Sequence, residues 1–264
     1  MKKVISILLV CLMMGLAVGC AAAESDTNAE FLYPTRTGVR VEAMFAAPDI
    51  QPYTGEDGDQ EKLDCIWVFY TDGTFEQFAE ADDRIVLFST GTHQLEENAD
   101  YIYEHPGEAG NGQITIRRNR KFTSQGITDY DSEHTYDLGT LGFYPVYTPD
   151  NPDKQVTAVF YGDDKQPFTK KDGGQDMLDT WWIYFSDGTF VQFAILEDKV
   201  VLFSEGVYKL SDGSSFGYEV TPEKDVITIQ RTKKYVKDSL QEYHSSHDYE
   251  LSTLGLVRIV SIGQ

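Results

Sequence analysis

A serine, a histidine and a carboxylate close together in a chain are the raw material of nucleophilic catalysis, and this sequence holds such a run twice. Tyr130-x-Ser132-x-His134-x-Tyr136-Asp137 returns as Tyr243-x-Ser245-x-His247-x-Tyr249-Glu250. A working triad passes a proton from hydroxyl to imidazole while the carboxylate holds the ring. On an extended strand side chains alternate faces, so Ser132, His134 and Tyr136 share one side and Asp137 points to the other. The run therefore reads first as hydroxyls and imidazoles that bond across strands or cap a turn. His134 and His247 stay open as ligand contacts, and no catalytic residue is assigned.

Metal chemistry lacks ligands at useful spacing. Of the five histidines only His244 and His247 lie close in sequence, and Cys65 is the single cysteine of the main body. The acidic loops Asp57-Gly58-Asp59-Gln60-Glu61 and Asp172-Gly173-Gly174-Gln175-Asp176 offer oxygens but not the ligand series of a calcium loop, so they read as solvated turns. Phosphate-cradling glycine loops, nucleophile elbows and zincin helices are absent from the sequence. Neither a metal nor a cofactor is expected, and the chain is not read as an enzyme.

Self-comparison organises the rest. Asp64-Cys65-Ile66-Trp67-Val68-Phe69-Tyr70-Thr71-Asp72-Gly73-Thr74-Phe75 aligns with Asp179-Thr180-Trp181-Trp182-Ile183-Tyr184-Phe185-Ser186-Asp187-Gly188-Thr189-Phe190, and the match continues nearly end to end. Two copies are too few for a solenoid, which buries its faces only by stacking three or more repeats. The boundaries expected are a signal peptide over 1–19, a flexible tether over 20–34, a first β domain over 35–148, a linker over 149–153 and a second β domain over 154–264. Each copy has short runs rich in Val, Ile, Phe, Tyr and Trp broken by turn residues, with no helical period. Asp72-Gly73 and Asp187-Gly188 predict two-residue hairpin turns, since Asp-Gly accepts positive φ. The strand before each turn is apolar on both faces, with Trp182 and Tyr184 on one side and Trp181, Ile183 and Phe185 on the other. Both faces must therefore be covered, as happens where two copies pack together.

The pattern Trp-x-Phe/Tyr-x-x-Asp-Gly-Thr-Phe, followed by a strand ending in Ser-x-Gly before Leu95 or Leu210, resembles the short lipocalin-like (calycin-type) barrels of bacterial lipoproteins. The resemblance implies an all-β fold of two tandem antiparallel β-barrels, with a β-sandwich as the alternative. It also implies an arginine packed across a tryptophan ring near the closed end, pairing Arg118 with Trp67 and Arg231 with Trp182. Read from the strand alone, Arg118 and Arg231 instead end a row of core-facing isoleucines and reach solvent. The neighbouring cluster Arg117-Arg118-Asn119-Arg120-Lys121, set among many carboxylates, reads as salt links.

The N-terminus carries an export signal: Lys2-Lys3, an apolar run from Val4 to Leu16, then Ala17-Val18-Gly19-Cys20. The run is too short to span a membrane as a helix, which takes about 18 residues or more. Small residues before a cysteine resemble the bacterial lipoprotein signal, which implies a palmitate-type lipid on Cys20 and anchorage at the cell membrane or envelope surface; ordinary cleavage after the small residues is the alternative. With Cys11 in the removed segment and Cys20 lipidated, Cys65 has no disulfide partner.

Lys and Arg number 22 against 43 Asp and Glu, a formal charge of −21. That balance repels phosphate backbones, so no nucleic-acid partner is expected. The expected function is extracytoplasmic binding of a small apolar molecule or glycan, with Trp67, Trp182, Arg118, Arg231, His134 and His247 as contact or barrel-closing residues. The alternative is an acidic interaction or inhibitor protein directed at a basic protein partner.

Overall fold

The computed structural model describes residues 35–55, 58–82, 84–101, 110–148, 153–170, 172–196, 199–214, 216 and 226–263. The signal segment, the tether with Cys20, and linker residues 149–152 lie outside the described residues. The fold is all-β. Its strands run β1 (Thr35–Thr37), β2 (Val41–Thr54), β3 (Gln60–Tyr70), β4 (Thr74–Ala81), β5 (Arg84–Leu95), β6 (Gln113–Thr123), β7 (Gly126–Asp137) and β8 (Tyr144–Tyr147). They continue with β9 (Val156–Thr169), β10 (Gln175–Phe185), β11 (Thr189–Leu196), β12 (Lys199–Leu210), β13 (Val226–Val236), β14 (Ser239–Glu250) and β15 (Val257–Gly263). Short 3-10 turns at Leu138–Thr140 and Leu251–Thr253 follow β7 and β14.

Two sheets result, ordered β7-β6-β5-β4-β3-β2-β8 and β1-β15-β9-β10-β11-β12-β13-β14. Each is an antiparallel meander whose last strand returns to lie beside its first. The exception is β1, which precedes the first sheet in the chain yet pairs in parallel with β15 of the second, Thr35 against Ser261 and Thr37 against Gly263.

The expected barrels do not close. Among the described strands β7 and β8 remain the edges of one sheet, and β14 and β1 those of the other, giving a sandwich-like pair of open, curled sheets. Closure needs two edges brought within ladder distance along their length. β8 is four residues long and pairs with β2 at only three positions, and no ladder joins it to β7 among the described strands.

Two-sided burial has a direct cause. On β3, Ile66, Val68 and Tyr70 enter a central cluster that also takes Trp181, Ile183 and Phe185 from β10 and Val159 and Tyr161 from β9. The alternate residues Cys65, Trp67 and Phe69 turn to the concave side of their own sheet, beside Phe45, Phe75 and Phe88. Trp182, Tyr184 and Phe190 do the same in the second sheet. The core is thus three apolar layers, the middle one shared by both copies. A large apolar side chain contributes about 1.5–3 kcal/mol on burial, against roughly 1 kcal/mol for a typical hydrogen bond, so the middle layer dominates the attachment of the sheets.

A polar island sits at its margin. Arg36 of β1 donates to Glu76 Oε1 at 2.8 Å and to Thr74 at 3.0 Å, lies 4.1 Å over the Tyr70 ring, and Tyr70 donates to Glu76 Oε2 at 2.5 Å. Burial by itself would lower the Arg36 pKa, but the charge and hydrogen bond of Glu76, with Tyr70 and Asp72 adding to them, together raise it.

The hairpins differ from expectation by one residue. Phe69 faces Phe75 and Tyr184 faces Phe190, leaving three-residue loops closed by Gly73 N–H to Tyr70 C=O at 2.9 Å and Gly188 N–H to Phe185 C=O at 3.1 Å. Only the glycines have positive φ, +78° and +80°, as in a type I turn followed by a left-handed residue. The aspartates instead accept from the backbone and hydroxyl of Thr74 and Thr189.

Candidate functional site

Curling gives each sheet a concave side, and an equivalent cleft opens there in both. The first, about 270 Å3, lies between β7 and the end of β2 and is floored by Trp67, Ile116 and Phe143. The second, about 310 Å3, lies over Trp182 and Ile229. Both are near the lower bound for small-molecule sites, roughly 300 Å3.

The walls follow from strand alternation. Ile114 and Ile116 point inward from β6 and are buried, and the next inward position is Arg118; Ile227, Ile229 and Arg231 repeat this on β13. Each guanidinium lies over its tryptophan, Arg118 at 5.1 Å from the Trp67 ring and Arg231 at 5.2 Å from that of Trp182. Opposite, β7 sends Tyr130, His134 and Tyr136 into the first cleft, and β14 sends Tyr243, Ser245, His247 and Tyr249 into the second. All six site residues drawn from the sequence therefore gather in two clefts, three in each.

One glycine per copy makes the arginine's position possible. The register between β5 and β6 slips at Thr90/Gly91, where β6 carries one residue more; β12 and β13 slip alike at Glu205/Gly206. There the strands approach so closely that a Cβ on Gly91 would sit 1.9 Å from the Arg117 carbonyl oxygen, and one on Gly206 would sit 2.0 Å from that of Gln230. The extra residue also changes the phase of the strand. Lys121 and Lys234, three positions after the arginines, therefore turn into the clefts instead of away. They lie opposite Ser89 and Ser204, with their ammonium groups 5.6 Å from the Phe88 and Phe203 rings and 5.5 and 5.6 Å from those of Tyr130 and Tyr243. The basic cluster thus divides. Exposed Arg117 pairs with Asp131 at 3.4 Å, while Arg118 and Lys121 have no carboxylate partner among the described residues.

Beneath the clefts runs a buried polar chain. Ser89 donates to Gln77 Oε1 at 2.7 Å and Gln77 donates to Gln51 Oε1 at 2.9 Å; Ser204, Gln192 and Gln166 repeat this at 2.7 and 3.1 Å. Gln77, Gln192, Ser89 and Ser204 are fully buried. Sequence reasoning missed these glutamines and the two lysines, although recurrence in both copies marks each of them.

The serine–histidine–carboxylate run does not assemble. Asp137 accepts from Gly139 N–H at 2.9 Å and caps the following turn. The Ser132 and Ser245 hydroxyls are shielded from solvent and have no hydrogen-bond partner among the described residues. Cys65 is fully buried, which pushes its thiol up to about 12, so it is no nucleophile at neutral pH. The chain matches no family model, no curated protein and no solved structure.

Proposed function

We propose that the protein is a lipid-anchored extracytoplasmic binding protein whose two clefts each hold a small molecule or the end of a glycan. The observation that carries this reading is duplication: Trp, Arg, Lys, His and Tyr take the same places in two clefts that are independent stretches of chain. Core packing alone does not require two cations and exposed tyrosines on a concave face. Each curled sheet reads as a lipocalin-like barrel opened along one seam, with the cleft as the seam. The signal segment and Cys20 supply the anchor, and binding, not catalysis, is the activity.

Two experiments test this. A thermal-shift screen of the mature chain against sugars and small apolar molecules should raise the melting temperature with at least one class; if nothing shifts it and nothing copurifies by native mass spectrometry, the binding reading fails. Cys20→Ala should abolish palmitate labelling and release the chain from the membrane fraction. A second reading, the acidic surface protein aimed at a basic partner, is favoured by the outer rows of β7 and β14, where Asp131, Glu133, Glu242, Asp248 and Glu250 are exposed. It requires capture of basic proteins that survives moderate salt.

A further inference from the structure

We propose, building on that binding reading, that each cleft takes a small organic anion, a carboxylate on a body of about monosaccharide size, held by Arg118 and Lys121 in one copy and by Arg231 and Lys234 in the other. The chain carries roughly two acidic residues for every basic one (43 against 22), yet no Asp or Glu is among the described residues that line either cleft. Strand alternation does the sorting. On β7 the inward row is Ser132, His134 and Tyr136 while Asp131, Glu133 and Asp137 face out; on β14 the inward row is Ser245, His247 and Tyr249 while Asp248 and Glu250 face out.

Cations held only for structure would be expected to find counter-charges in so acidic a chain, as Arg36 and Lys233 do with Glu76 and Glu205. The four cleft cations have none among the described residues. Lys234 is half-buried, and desolvation, with the charge of Arg231 added, lowers its pKa. Two like charges are thus held together in a partly dry place with no carboxylate paired to them among the described residues. The bulge that turns each lysine inward interrupts the ladder, a cost repeated in both copies.

The guanidinium fork suits a planar carboxylate. The Ser132 and Ser245 hydroxyls, shielded and unbonded, are donors in waiting beside it. The size of the clefts and the overall charge exclude a polyanion: repulsion acts on any extended chain of phosphates or sulfates, whereas a single anion inside the cleft is within the screening distance of its own two cations, about 8 Å.

The test is calorimetric titration of the mature chain with two matched pairs, glucuronate with glucose and benzoate with benzyl alcohol. At least one anion should bind at two sites per chain, and its neutral twin about tenfold more weakly or worse. Arg118→Gln should leave one site and Arg118→Gln with Arg231→Gln none, while Arg117→Gln, on the outer face, binds like the parent. Should the arginine variants lose their fold, Lys121→Gln and Lys234→Gln ask the same question, each weakening one site. Neutral twins binding as tightly as the anions, or two anions still bound by the double variant, would overturn the anion assignment and leave the binding reading standing. No binding by any of the four probes overturns the assignment too, and the broader screen then decides the binding reading separately.

Discussion

Two residues before Trp67, on the same face of its strand, stands Cys65; two before Trp182 stands Thr180. The Trp182 indole donates to the Thr180 hydroxyl at 3.2 Å, whereas the Trp67 indole nitrogen, equally buried, makes no hydrogen bond of normal geometry beside its thiol. Above this level the clefts agree closely, with arginines at 5.1 and 5.2 Å from the rings and His134 and His247 each 6.1 Å from the tyrosine two positions on. The copies differ again on the opposite face. Tyr70 and Glu76, gripped by Arg36, correspond to Phe185 and Val191, which lie in or against the central apolar cluster. The copies differ beneath the ring, at the seam between sheets and at part of the apolar rim, where Phe143 of the first cleft corresponds to Leu256 of the second, while the arginine, lysine, histidine and tyrosines facing the open space are the same in both. The polar and cationic lining of the clefts is thus shared by both copies even where the packing around it is not.

The largest effect should come from removing the close strand approach that both copies share. Gly91→Ala and Gly206→Ala each force a Cβ into a carbonyl oxygen and should cost about 3 kcal/mol or more by urea denaturation. A loss under 1 kcal/mol in one copy would break the equivalence of the two bulges. Next is the polar island: Glu76→Val alone strands Arg36 and should cost roughly 3 kcal/mol, yet adding Arg36→Leu and Tyr70→Phe, the apolar solution of the second copy, should recover most of it. No recovery would mean that the ion pair itself holds β1 in place.

Smaller effects sharpen the contrast at the tryptophans. Thr180→Val leaves an indole N–H without an acceptor and should cost about 1–2 kcal/mol, whereas Cys65→Val, replacing a weak acceptor, should cost less than about 1 kcal/mol. Equal losses would show the thiol to be a true partner. The smallest effect is acid sensitivity. Burial alone would raise Asp72 and Asp187, but the bonds from Thr74 and Thr189 prevail and hold both carboxyls below the usual range. A depressed folded-state pKa gives stability that is present above the unfolded value, about 3.9, and lost as pH falls through the lower folded one. Asp72→Asn and Asp187→Asn should therefore differ from the parent at pH 6 and converge on it by about pH 2 in denaturant titrations. Both turns are largely exposed, so the difference should be small.

Much of this was legible because short-range rules govern it. Alternation assigned Trp181, Ile183 and Phe185 to one face and Trp182 and Tyr184 to the other, and recurrence drew attention to Arg118, His134 and their counterparts. What could not be read depends on single irregularities or distant partners. Regular alternation places Lys121 opposite Arg118, and only an extra residue at the bulge reverses it. Closure into a barrel turned on whether the four residues of β8 would meet β7, which no local pattern encodes. Asp-Gly serves two-residue and three-residue loops alike, so the hairpins were found but not their length. Gln77 and Ser89 look like ordinary strand residues until packing buries them and joins them to the half-buried Gln51. Thr35-Arg36-Thr37 has no apolar pattern at all, and its partner β15 is at the far end of the chain.

That last pairing has a mechanical consequence. Tension applied to the chain upstream of Thr35 enters the molecule through β1, which is hydrogen-bonded to the final strand of one sheet and tied by Arg36 to Glu76 of the other. Because β1 runs parallel to β15, a pull along its axis shears those bonds together instead of peeling them one at a time. A protein tethered at its N-terminus would thus hang from both halves at once, its load shared at the point where they join.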